Sequence, residues 1–135
     1  MTKSDVNEIA YQVIGAAIEV HKYLGPGLME STYQKCMEQE LRLRKLNFEA
    51  EKTTELIYNG IKLSADLRCD LIVEKSVVVE LKAVEGFAPV HEAQVLTYMK
   101  LLSVPKGLLI NFNCGSIFKE GQKAFVNNIF SGLSD

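Results

Sequence analysis

Asp70-Leu71-Ile72-Val73-Glu74-Lys75-Ser76-Val77-Val78-Val79-Glu80-Leu81-Lys82 is the stretch that decides the fold. It reads as two apolar strands, Cys69 to Val73 and Val77 to Leu81, joined by the polar turn Glu74-Lys75-Ser76. Antiparallel pairing across that turn sets Val73 opposite Val77, Ile72 opposite Val78 and Asp70 opposite Glu80. Side chains alternate faces with a period of two, so Glu80 and Lys82 share a face while Val79 and Leu81 point into a core. Directly opposed carboxylates stand with Cβ atoms ~5 Å apart and destabilise a sheet. Protonation of one acid relieves the clash, and so does a cation between the two; a hard divalent ion with oxygen ligands satisfies both. A charged strand face is more often simply solvated, and a one-residue slip would send the acids to opposite faces. Here the neighbours are Val-Val-Val on one side and Leu81, Ala83 and Val84 on the other, an apolar setting in which charge needs a reason.

Working outward, Asn59-Gly60 signals a two-residue hairpin between a strand from Thr53 to Tyr58 and another from Ile61. Upstream, Val6, Ile9, Ala10, Val13, Ile14, Ala17 and Ile18 recur at helical spacing. They predict a helix from Asp5 to Leu24, with Asp5 and Glu8 as its capping box, ended by Gly25-Pro26-Gly27. A second helix is expected from Leu28 to Leu46. Downstream, Pro89 suits the first position of a third helix to Leu102. Val104-Pro105-Lys106-Gly107 breaks it, Leu108 to Phe112 reads as a short buried strand, and Gln122 to Phe130 as a last helix. The order α-α-β-β-β-β-α-β-α implies one α/β domain over residues 1–135. Its mixed sheet is flanked by helices, and the third helix crosses over to a parallel last strand.

Composition narrows the function classes. At 47% hydrophobic and 24% charged, the chain is globular rather than disordered. No apolar run approaches the ~20 residues a membrane helix needs, and residues 1–5 carry no signal-type stretch, so a cytoplasmic protein without a membrane partner is expected. Cys36, Cys69 and Cys114 form no CxxC pair and read as small buried apolar residues. A net charge of −2 argues against a broad nucleic-acid-coating surface, and the lack of tryptophan against a stacking platform. The lysines and arginines are scattered, and no helix-turn-helix or zinc finger is present.

Two helices offer partners to the acid pair. Glu30 and Tyr33, three apart near the start of the second helix, can share a face. A carboxylate in the first turn also suits the helix dipole, which is a structural explanation of equal standing. In the third helix His91, Gln94 and Tyr98 form a polar stripe. His91 suits the helix boundary as well as a contact with substrate, and His21, near the end of the first helix, suits a bond to a carbonyl.

Gly27-Leu28-Met29-Glu30-Ser31-Thr32-Tyr33 matches the motif that names the GxxExxY proteins, placed in the PD-(D/E)XK nuclease-like superfamily. The resemblance extends through Asp70-Leu71-Ile72-Val73, Val79-Glu80-Leu81-Lys82-Ala83-Val84, Pro89 to Tyr98 and Gly107 to Phe112. It implies a restriction-endonuclease-like core, a mixed four- to five-stranded sheet between helices. It also implies that Asp70 and Glu80, with the Leu81 carbonyl, bind Mg²⁺ or Mn²⁺, and that Glu30 extends the metal shell. Lys82 would activate the attacking water. Gln94 and Tyr98 resemble the QxxxY element of RecB-type nucleases and, with Tyr33 and His91, would lie on the substrate side.

The resemblance therefore implies metal-dependent hydrolysis of phosphodiester bonds in nucleic acid, DNA before RNA. A bare core without a recognition module needs a second copy or a protein partner for specificity. The alternative is a catalytically silent module that keeps the fold as a subunit of a larger nucleic-acid-processing assembly.

Overall fold

Helical spacing of apolar residues builds α1 (Lys3–Leu24), which buries Val6, Ala10, Val13, Ala17 and Val20 along one stripe. The computed structural model describes residues 1–65 and 67–135. The cap of α1 lies earlier than expected. The Thr2 hydroxyl accepts the Asp5 N–H at 3.1 Å and the Asp5 carboxylate accepts the Thr2 N–H at 2.9 Å, so Asp5 is the third helical residue and not the cap. At the far end, His21 Nε2 donates to the Cys114 carbonyl at 2.9 Å.

After the glycine turn, α2 (Glu30–Leu43) buries Tyr33, Met37 and Leu41, spaced by four, against the same core. It stops before the expected Leu46 because Lys45 turns left-handed, with φ 60°.

The strands are β1 (Phe48–Thr53), β2 (Leu56–Tyr58), β3 (Ile61–Leu63), β4 (Arg68–Val73) and β5 (Val77–Lys82). They are followed by α3 (Pro89–Leu102), β6 (Lys106–Asn111), α4 (Ile117–Glu120), β7 (Gln122–Val126) and α5 (Asn128–Ser131). Five strands form one mixed sheet in the order β1-β4-β5-β6-β7, in which only β5 and β6 run parallel, as a helical crossover through α3 requires. The pairs Leu71–Val79, Ile72–Val78 and Val73–Val77 give the β4–β5 register read from the sequence. The turn between these strands holds two consecutive left-handed residues, Glu74 and Lys75.

Two expectations need correction. The stretch from Gln122 is not one helix; Gln122 to Val126 pairs antiparallel with Lys106 to Ile110 and closes the sheet edge. Only one turn, capped by the Asn127 side chain, is helical beyond it. So short an apolar run carries no decisive period, and the open edge of β6 settles its conformation. The expected strand from Thr53 to Tyr58 is likewise two strands. β1 begins at Phe48, and β2 pairs only with β3, in a separate hairpin with Ile57, Tyr58 and Ile61 exposed.

The sheet has a core on each face. Leu71, Val73, Val77, Val79, Leu81, Leu108 and Ile110 pack with α1 and α2. Ile72, Val78, Leu109 and Cys69 pack with Val95 and Met99 of α3. Gly107 lets α3 approach, since a Cβ there would lie 2.5 Å from Val95 Cγ1. Burial pushes the Cys69 thiol up to about 12, and all three cysteines are free. No helix among the described residues is long and apolar enough to cross a membrane.

Candidate active site

Strict alternation along β4 fails at one residue. Cys69 and Ile72 sit in the same core layer although they are an odd three positions apart, so the period of two slips between them. The paired positions show where. On the β1 side the pairs include Ala50–Leu71 and Lys52–Cys69 and skip Asp70, and on the β5 side they end at Leu71–Val79. Glu51, across from the gap, is left-handed at φ 51°, a conformation that costs a non-glycine residue about 1 kcal/mol or more.

Where the strands part, the acids bridge them. Glu80 Oε1 accepts the Asp70 N–H at 3.0 Å, and Asp70 Oδ2 accepts the Leu81 N–H at 2.7 Å. Glu80 is only 4% exposed. Its burial, reinforced by the charge of Asp70, pushes its carboxyl up to about 8. Asp70 is raised too, chiefly by burial, while the Leu81 N–H and then the Lys82 ammonium pull it back. The charge of Glu30 reaches Asp70 and raises it further.

Asp70 opens onto a cleft of about 390 Å³ lined by Glu30, Gln34, Lys35, Glu38, Glu51 and Leu81, among others. The structure thus brings Asp70, Glu80, Leu81 and Lys82 together and sets Glu30 on the same cleft. Among the described residues, no three His, Cys, Asp or Glu side chains gather closely enough to hold an ion by themselves. Still, the donor set fits a hard divalent cation. A buried Glu80 and a half-buried Asp70 whose carboxylates repel each other are what such an ion neutralises.

The other expected site residues fare differently. Tyr33 is wholly buried and stacks on Phe112 with centroids 4.3 Å apart. Its hydroxyl donates to the Gly25 carbonyl at 2.6 Å and accepts the Leu28 N–H at 3.2 Å. It has no surface to offer a substrate; it holds the turn that presents Glu30. His91 Nδ1 accepts the Ala88 N–H at 3.0 Å and so closes the start of α3, the boundary role. Tyr98 accepts the Arg68 N–H at 3.1 Å at the foot of β4, near enough for Glu80 and Asp70 to add to the burial that raises its phenol. Gln94 is exposed on the same helix.

Gln34, Glu38 and Glu51 are cleft residues that the sequence reading missed. The first two had a signal: with Glu30 they fall at i, i+4 and i+8 on one face of α2. Glu51 had none.

A mixed sheet whose two central strands part around an interlocked acid pair, with a lysine two residues beyond the second acid, defines a restriction-endonuclease-like protein. The chain belongs to the PD-(D/E)XK nuclease superfamily, whose family model matches residues 7–124. Members of that superfamily generally use divalent metal ions such as Mg²⁺ and act on nucleic acid. The crystal structure of SSO0001 is similar, with a TM-score of 0.53 and 25% identity, over 72% of this chain and 49% of that one. The chain therefore spans about half the length of that protein. No curated protein matches the sequence.

Proposed function

We propose that the chain is a divalent-metal-dependent phosphodiester hydrolase of the GxxExxY group, acting on DNA before RNA. The observation that carries this reading is the interlocked pair, half-buried Asp70 and buried Glu80, at the point where their strands part. Asp70, Glu80 and the Leu81 carbonyl would hold Mg²⁺ or Mn²⁺, with Glu30 facing them across the same cleft. The bound ion would lower the pKa of a water and clamp the phosphoryl oxygens.

The chain's own residues supply the rest. Lys82, two residues after Glu80, orients the attacking water and offsets charge developing on the phosphate. The fixed acids cost no reorganisation, because backbone N–H groups already orient them. Gln94 and Tyr98 on α3 lie on the substrate side, with Tyr98 anchored to β4. His91 supports that side through the helix start.

One observation favours a second reading, a silent binding module within a larger assembly. The cleft lining includes Glu30, Glu38, Glu51 and Asp70 against Lys35, a balance that repels phosphate. Cleavage of supercoiled plasmid, single-stranded DNA and RNA separates the two. The hydrolase requires Mg²⁺- or Mn²⁺-dependent cutting that falls at least ~10³-fold in Lys82→Ala, which still gains thermal stability from Mn²⁺. Metal binding without cutting on any substrate supports the second reading. No stabilisation by either ion removes the metal centre.

A further inference from the structure

Gln34 has no part in the roles assigned so far. It lies one helical turn beyond Glu30, and its side-chain amide reaches across to the sheet. Nε2 donates to the Asp70 backbone carbonyl at 3.0 Å and to Glu38 Oε2 at 3.1 Å. Both donors are engaged by acceptors, so the amide has one workable orientation: a flip would set its oxygen against a carbonyl and a carboxylate.

The strand register skips Asp70 on one side and stops short of it on the other. Its N–H is held by Glu80, its carboxylate holds the Leu81 N–H, and its carbonyl takes the bond from Gln34. Helix α2 thus replaces, through one amide, part of what a neighbouring strand supplies elsewhere. We infer that Gln34 is a positioning residue that fixes the peptide and carboxylate of Asp70 for the ion and sets the reach from Glu30 to the acid pair. This rests on the metal-site reading given above. Outer groups that orient a ligating carboxylate typically change metal affinity 10–100-fold when removed.

Gln34→Leu keeps the volume and removes both donors. Two readouts are followed, Mn²⁺ affinity by thermal shift and hydrogen exchange at the Leu81 amide of the metal-free protein. The expected result is about tenfold weaker Mn²⁺ binding and about tenfold faster exchange, with the metal-free melting temperature within a few degrees. Glu38→Gln keeps an acceptor for the other bond, so exchange at Leu81 stays at the wild-type level; equal acceleration in the two variants would mean a merely structural role. If Gln34→Leu does not fold, Gln34→Met removes the donors in an uncharged side chain of similar length and carries the same test. Wild-type exchange and affinity in either folded variant overturn the inference. Should the wild type bind no Mn²⁺, the metal reading fails, while exchange at Leu81 still decides the role of Gln34.

Discussion

Replacing Glu80 by glutamine is expected to stabilise the metal-free protein at neutral and alkaline pH. The amide has the shape of the carboxyl, and its oxygen can keep the bond from the Asp70 N–H, 3.0 Å in the wild type. What disappears is a carboxylate that burial and the neighbouring Asp70 hold up to about 8, against an ordinary 4.5. A raised acid pKa means that the folded state binds a proton more tightly than the unfolded chain. Stability therefore falls as pH rises from 4.5 toward 8, and above that range the full penalty is present.

A shift of this kind corresponds to a few kcal/mol, and relaxation around a coupled pair reduces it. We expect Glu80→Gln to exceed the wild type by roughly 2–3 kcal/mol at pH 9, about 10 °C in melting temperature. At pH 5, where the wild-type acid is already protonated in the fold, the gap closes to under about 1 kcal/mol. The assay is thermal or urea denaturation at pH 5, 7 and 9 in a chelator, repeated with Mn²⁺. Mn²⁺ should raise the wild type and leave Glu80→Gln where it was. A gap that does not change with pH, or a variant weaker than wild type throughout, refutes the argument, because it would mean that the fold already stabilises the charged acid.

Further outcomes follow from the packing. Tyr33→Phe removes a hydroxyl bonded to both Gly25 and Leu28 and should cost about 1–2 kcal/mol by urea denaturation; Tyr33→Ala, emptying a buried stacked site, about 3–5 kcal/mol. Gly107→Ala places a Cβ 2.5 Å from Val95 Cγ1 and 2.7 Å from Met99 Sδ, so about 1–3 kcal/mol of stability should be lost, with faster amide exchange in α3. Asn111 is 4% exposed and bonds both backbone groups of Val84, so Asn111→Leu should lower stability by about 2 kcal/mol and free the segment that leads from Lys82 to α3.

The parts of this molecule that were legible in its sequence are those where pattern and burial agree. Val73 to Val77 is a polar turn between β-branched runs, both strands are buried, and a shifted register would expose them; the pairing follows. The α3 crossover and the parallel β6 are set by Pro89, Gly107 and an apolar strand. What stayed hidden depends on contacts between distant segments. Gln122 to Val126 is a strand because β6 has an edge to fill. Tyr33 looked like part of the cleft because it shares a motif with Glu30, but helical geometry turns it to the face that meets Phe112. The break at Asp70 was invisible, since two-fold alternation is the assumption used to read a strand. Gln34 and Glu38 were within reach of helical spacing from Glu30, and only their distance from any motif concealed them.

The β2–β3 ribbon leaves the sheet after β1 and returns as β4. Thr53 already faces Arg68, and the Thr54 N–H meets the Leu67 carbonyl at 2.9 Å, so the two supports stand side by side at its base. A tight Asn-Gly link is the right span to join such neighbours directly. The ribbon is then an appendage on a finished frame, a place where evolution or an engineer can lengthen, trim or exchange a surface hairpin without re-laying the strand that carries Asp70.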